Sequence, residues 1–293
     1  MAVATPQISL RASGRVRRRK LVNRVMEGVS TGAAVLAIGV LALVVASVAV
    51  KAAPAMSWHF LTRPPSLFGG QGGISSAIIG SALVLGMATG MAVPVGVLTA
   101  IFLVEFSPRW IAAPIQLVLD MLNGMPTIIT GIFVYGLLVV GHVQSAYAGA
   151  FALAVVMVPL IARATQEVLL LVPSALREAS LALGVNRWRT VVGVILPSAV
   201  GGVLTGSVIA IARVAGETAP LLFTCSIFSP SVSTDVTHAL PNLPVLIFQY
   251  SEQPDPALHQ QAWAASLVLM AFVLVASLGA RGLLARSRRR LGG

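Results

Sequence analysis

Cysteine is almost missing. Cys225 is the only one in 293 residues, which excludes an intrachain disulfide, a CxxC pair and a Cys/His metal site. Charge is scarce too: Asp, Glu, Lys and Arg make up 10% of the chain, against about 25% in a soluble domain. No Gly-x-x-x-x-Gly-Lys-Ser/Thr loop occurs, so ATP binding and hydrolysis by that route are excluded, and nothing points to an enzyme. Aromatic residues are few, at 6%, and no basic surface is interleaved with them, so the net charge of +11 does not mark nucleic-acid binding. The four histidines, His59, His142, His238 and His259, are scattered near segment ends and read as loop residues rather than metal ligands.

What is abundant is apolar. With 57% hydrophobic residues and a mean hydropathy of +0.91, the chain is an integral membrane protein. The uncharged run 28–50 has 23 residues, close to the roughly 20 that one helical crossing needs. It is too long for the apolar core of a signal peptide, about 7–15 residues, so it reads as a retained anchor. Residues 51–73, with Pro54, Pro64, Pro65 and the glycine-rich run 69–73, read as an extramembrane loop. Further spans are expected at about 74–104, 113–140, 148–162, 199–222 and 262–280. A polar hairpin (141–147), a polar connection (163–197) and a long loop (225–258) separate them. The domain plan is a basic tail at 1–27, a transmembrane domain at 28–284 and a second basic tail at 285–293. Segments this long do not suit barrel strands, and backbone groups in lipid must be satisfied internally, so the fold is an all-α six-span bundle.

The basic residues fix an expected orientation. Seven lie in the N-terminal tail (Arg11, Arg15, Arg17, Arg18, Arg19, Lys20, Arg24) and five at the other end (Arg281, Arg286, Arg288, Arg289, Arg290). Arg109, Arg163, Arg177, Arg187 and Arg189 fall on the same side under this plan, while Lys51 and Arg63 fall opposite. That asymmetry places both termini in the cytoplasm. The N-terminal tail reads as a topology signal in contact with anionic lipid.

Charges inside the spans are the candidates for function. Arg213 and Glu217 are four residues apart in an apolar stretch, and a charge in hydrocarbon costs about 2.5–3.5 kcal/mol on insertion scales. On one helix they would share a face and could neutralise each other, or line a substrate pathway. Thr218 beside them, and Asp120, are further pathway candidates. Asn123, Thr127 and backbone freed near Pro126 offer Asp120 local partners. Pro126 and Pro220 are expected to kink or unwind their helices, while Gly201, Gly202, Gly206 and Gly216 fit close helix packing.

Within 163–197, Pro173 and Ser174 mark a helix start, with Ser174 able to cap exposed N–H groups. Ala175, Ala179 and Ala182 make a small-residue face. Gly184 suits a left-handed helix end, and Asn186 can cap the next turn. The order Glu178-Ala179-Ser180, Gly184, Val194 and Leu196-Pro197 resembles the EAA loop of bacterial ABC-importer permeases, with Ser180 for the second Ala and Val194 for Ile. In that family the loop is a cytoplasmic coupling helix that sits in a cleft of the ATPase. The resemblance assigns Glu178, Ala179, Ser180 and Gly184 to that joint, in a permease of type I architecture.

A narrower resemblance lies on either side. Arg213-Val-Ala-Gly-Glu217-Thr218-Ala-Pro220-Leu-Leu222 is similar to the hallmark stretch of the PstA family of phosphate permeases, as are the segments from Leu122 to Gly131 and from Val158 to Thr165. The leader from Pro65 to Gly80 fits as well. This implies passage of inorganic phosphate, with Arg213 receiving the anion and Glu217 preventing it from being held too tightly. It implies no cofactor on this chain, with ATP and magnesium used by partner ATPases. The implied partners are a PstC-like sister permease, two PstB-like ATPases and a PstS-like extracytoplasmic phosphate-binding protein, in the bacterial inner membrane. The rival readings are an ion-coupled secondary transporter or channel for an anion, in which Arg213, Glu217 and Asp120 carry the coupling, and a structural membrane subunit.

Overall fold

The computed structural model describes residues 14–66, 72–229 and 231–291. Arg11, most of the 69–73 run and the last two residues of the second basic tail lie outside them. α1 (Gly14–Ala52) is one uninterrupted helix of 39 residues. It begins well before residue 28, because the Arg- and Lys-rich stretch ahead of the apolar run contains good helix formers and no Pro. The chain divides into two units, one ending at Val50 and the second starting at Lys51.

The second unit opens with the short α2 (Trp58–Thr62), where Ser57 Oγ accepts the Phe60 N–H at 3.1 Å. α3 (Ser75–Ile101) continues through a wider turn at Phe102–Phe106, in which the Ser107 N–H donates to the Phe102 carbonyl at 2.8 Å. α4 (Arg109–Gly124) and α5 (Thr127–Val134) occupy the region expected as one span, but they meet at a bend of 102°. Pro126 accounts for it. It cannot donate a helical bond, and it holds Met125 in an extended conformation with ψ 136.

α6 (Ala146–Leu170) starts at Ser145, whose side chain accepts the Ala148 N–H at 3.2 Å. The helix runs to Leu170, so Arg163, expected in a polar excursion, lies within it. α7 (Ser174–Ala182) and α8 (Arg187–Thr190) follow, and a wider turn at Val191–Ile195 leads into α9 (Leu196–Val214). The expected fifth span is interrupted: α9 stops at Val214 and α10 (Ala219–Thr224) resumes after four non-helical residues. Pro220 sits in the first turn of α10, and a continuous helix would drive its ring against the carbonyl of Gly216, four residues back, so the unwinding expected of it falls in the residues just ahead of it. α11 (Leu243–Ser251) interrupts the expected long loop. Its Asn242 cap accepts the Val245 N–H at 3.1 Å and donates to the Cys225 carbonyl at 2.8 Å. α12 (Pro256–Leu291) begins earlier than residue 262. Among the described residues, five helices are long and apolar enough to cross a membrane, and the bent pair α4–α5 makes a sixth crossing if counted as one.

α3, α6 and α9 form the centre, with α12 against α9 and with α5 and α10 against α6. Lipid offers no hydrophobic drive between helices, so close approach through small residues holds them. Ala88, Ala92, Ala150 and Ala154 line the core with Met157 and Ile161. A Cβ on Gly202 would meet Val168 Cγ1 at 2.5 Å, and one on Gly206 would meet Ala164 Cβ at 2.7 Å, so both glycines serve the α6–α9 contact.

Candidate substrate pathway and coupling site

Arg213 occupies the last turn of α9, where a cation is favoured by the helix dipole. The chain then turns sharply: the Gly216 N–H donates to the Arg213 carbonyl at 3.3 Å and the Glu217 N–H to the Val214 carbonyl at 3.0 Å. The break removes the shared helical face expected for Arg213 and Glu217, and they form no ion pair among the described residues. Glu217 Oε2 instead accepts the Thr127 hydroxyl at 3.0 Å. Arg213 is exposed on this chain and makes no side-chain hydrogen bond to a described residue, while Glu217 and Thr218 are half-buried. The Thr218 side chain does not cap α10.

Thr127 is the first residue of α5, directly after the break at 125–126. The two helix breaks therefore lie side by side. Gly131 makes this possible, since a Cβ there would come within 2.8 Å of Pro220 Cα. Thr127, expected as a local partner of Asp120, is thus engaged by Glu217. Asp120 pairs with Arg163 of α6 instead, at 3.6 Å, with side chains about half exposed (50% and 44%). One turn earlier on α4, Gln116 Nε2 donates to Gln166 Oε1 at 3.2 Å. Arg163 was legible only as a basic residue near a span end, and its role as Asp120's partner required the helix to run on to Leu170.

The second group of candidates lies on α7. Pro173, not Ser174, holds the cap position, and no side-chain cap bond forms. Glu178 and Ala179 are exposed, as are Ala175 and Ala182. Gly184 has φ +77, the left-handed conformation expected for it, and the Val185 N–H closes back to the Ser180 carbonyl at 3.2 Å. Asn186 accepts the Arg189 N–H at 2.9 Å and caps α8, also as expected. Ser180 differs: it is buried, with its Oγ 2.8 Å from Thr190 Oγ1, so it ties α7 to α8.

The strongest contact of this region joins residues that no short sequence spacing connects. Arg177 Nη2 lies 2.7 Å from Glu105 Oε1 and its Nε 3.0 Å from the same oxygen. Nη1 and Nη2 also donate to the carbonyls of Val172 (2.8 Å) and Leu169 (2.9 Å), satisfying groups left open at the end of α6. Glu105 is 5% exposed. Next to it, the Phe106 ring is 6.0 Å from Trp188, and the Arg187 guanidinium lies 5.6 Å over it. The available signal was a lone acid ending a long apolar run, and a base in a connection assigned to the same side.

A match to the family described as "Binding-protein-dependent transport system inner membrane component" covers residues 92–291, more than half of the chain. The phosphate transport system permease protein PstA of Yersinia pestis is 40% identical over 230 residues, 78% of this chain and 77% of that protein. PstA of Haemophilus influenzae is 38% identical over 259 residues, 87% and 91% of the two chains. PstA 1 of Mycobacterium tuberculosis is 40% identical over 225 residues, 75% and 73%. Among solved structures, an inward-facing MetNI methionine ABC transporter matches with a TM-score of 0.58 at 20% identity, over 73% of this chain and 97% of that one, which shows a shared fold. A bent all-helical bundle, an exposed helix between its fourth and fifth crossings and relatives of this closeness agree: the chain belongs to the binding-protein-dependent transport system inner membrane component family, within its PstA group of permease proteins.

Proposed function

We propose that this chain is a membrane-spanning permease subunit of an ATP-driven importer of inorganic phosphate, working with a PstC-like sister permease, two PstB-like ATPases and a PstS-like binding protein. Both termini and α7 lie in the cytoplasm on this reading, supported by the bias of Lys and Arg to one side. ATP and magnesium act on the ATPases, and α7 presents Glu178, Ala179 and the Gly184 turn to them. One observation carries the substrate assignment. Arg213 projects from an apolar helix end with no side-chain partner among the described residues, next to a helix break. Phosphate is a mono- or dianion near neutral pH and needs a compensating charge in a low-dielectric layer. A planar guanidinium suits two phosphate oxygens at once.

Glu217 complements this cation without quenching it. The Thr127 hydroxyl holds its carboxylate at 3.0 Å, so a negative charge stays near the path and keeps the anion from being trapped. Thr218 and the Asp120–Arg163 pair are secondary pathway groups on the same reading. The test is uptake of labelled phosphate in a strain lacking its own permease, complemented with this chain or with Arg213→Gln. The expected result is loss of uptake with the complex assembled and its ATPase intact. Normal uptake by the variant removes Arg213 from the mechanism. The adjacent breaks at 125–126 and 215–218 are a feature that ion-coupled carriers also use. Transport by the chain reconstituted without any ATPase would establish that second reading.

A further inference from the structure

An exposed helix that moves by itself transmits nothing; something must bind it to the membrane-spanning core. Three contacts do so here, and they converge on two consecutive residues in the wider turn that follows α3. Arg177 of α7 grips Glu105 through Nε and Nη2, at 3.0 and 2.7 Å. Phe106 is held from the other side of the connection by Trp188 and Arg187, at 6.0 and 5.6 Å. The Ser180–Thr190 contact of 2.8 Å locks α7 to α8, so both grips belong to one piece. From Phe106 the chain leads back through the turn at Phe102–Phe106 into α3, which packs against α6 through the core.

The chemistry of the pair suits transmission. A fork bound to a carboxylate resists rotation as well as separation. Glu105 is 5% exposed, and pulling one member of a buried pair away strands a desolvated charge. The guanidinium also holds the carbonyls of Leu169 and Val172, so the end of α6 is tied into the same node. Displacement of α7 therefore acts on α3 and α6 together.

We propose that Glu105 and Arg177, with Phe106 held by Trp188 and Arg187, form the joint that passes movement of α7 to α3, and that both charged residues are positioning residues for transport. This rests on the ATP-driven importer reading above. A passive staple would have the same contacts, so the test separates coupling from assembly. The whole complex, with its sister permease, ATPases and binding protein, is reconstituted in liposomes. Two quantities are read: ATPase retained on purification, and ATP hydrolysed per phosphate taken up. Glu105→Gln keeps shape and volume but removes the charge. It is expected to retain the ATPase and to raise ATP per phosphate by about tenfold, within the range seen for residues in coupling elements. Arg177→Lys keeps the charge and loses the fork, and falls between wild type and Glu105→Gln. The double variant Glu105→Gln/Arg177→Gln is no worse coupled than Glu105→Gln alone. Normal coupling in well-assembled variants overturns the proposal. So does transport that falls only in proportion to complex lost, at an unchanged ATP ratio. A wild-type complex that moves no phosphate overturns the importer reading and the joint with it.

Discussion

At the end of α6 the Arg177 guanidinium is fully engaged, donating to Glu105 and to two backbone carbonyls. At the end of α9 the Arg213 guanidinium has no such partner among the described residues, and the acid four residues on is tethered to Thr127. Both guanidinium groups lie at the C-terminal end of an apolar helix, Arg213 at the end of its own α9 and Arg177 reaching over from α7 to the end of α6, and the same side chain does opposite things. A closed pair in a low-dielectric site holds two helices and has nothing left to offer a visitor. A guanidinium kept open in such surroundings is costly unless something from outside the chain meets it. The contrast is what supports giving Arg177 a mechanical role and Arg213 a chemical one.

The largest expected effect tests that contrast on stability. Glu105→Ala leaves the Arg177 fork half-used at a buried site and should cost about 3 kcal/mol, the low end for a broken buried pair because Arg177 keeps 24% of its side chain exposed. Glu217→Ala removes one hydroxyl bond at a half-buried site and should cost about 1 kcal/mol. Urea unfolding of both variants in the same detergent decides. Equal losses would erase the distinction between the two pairs.

Next in size is an effect on transport. Thr127→Val removes the tether on Glu217 and frees its carboxylate to approach Arg213. Phosphate uptake should then fall by about tenfold, the equivalent of about 1.4 kcal/mol, while the complex assembles normally. Undiminished uptake would mean that the tether does not keep the cation open.

Much of this molecule was legible in its residues. Apolar length located the long helices, Gly184 and Asn186 announced the turn and cap after α7, and Pro173 marked the start of that exposed helix. What could not be read was tertiary. The spacing of Arg213 and Glu217 implies a shared face only if the helix continues, and Pro220 signals an unwound turn without fixing that it begins as early as Ala215. Glu105 and Arg177 are 72 positions apart, and no short-range pattern pairs them. Asp120 met Arg163 rather than its sequence neighbours because the bend at 125–126 carries Thr127 away to Glu217.

Two glycines sharpen the comparison at lower energy. Gly184, at φ +77, takes a conformation that a Cβ disfavours, so Gly184→Ala should destabilise by about 1 kcal/mol and loosen the end of α7. Gly216, in the break beside Arg213, has no positive φ, and an added Cβ would meet only the Arg213 carbonyl at 3.8 Å. Gly216→Ala should stay within about 0.5 kcal/mol. The same unfolding measurement checks both, and a large loss at Gly216 would mean that the break needs glycine's freedom.

The smallest effect lies outside both regions, in the loop between α10 and α11. The Thr237 hydroxyl and N–H, followed by His238, hold the Asp235 carboxyl down to about 2. The folded value is below the ordinary one of about 4, so the ionised form favours the folded loop. Its contribution is complete above about pH 4 and disappears as pH falls through about 2. The loop's backbone bond from the Ala146 N–H to the His238 carbonyl, 2.9 Å, reports on it. Hydrogen exchange at Ala146, corrected for intrinsic rate, should be unchanged from pH 7 to pH 4 and should quicken only below about pH 3. Asp235→Asn should abolish that acid-dependent step. Protection lost already between pH 7 and pH 5 would show that the Asp235 carboxyl is not the group that governs the loop.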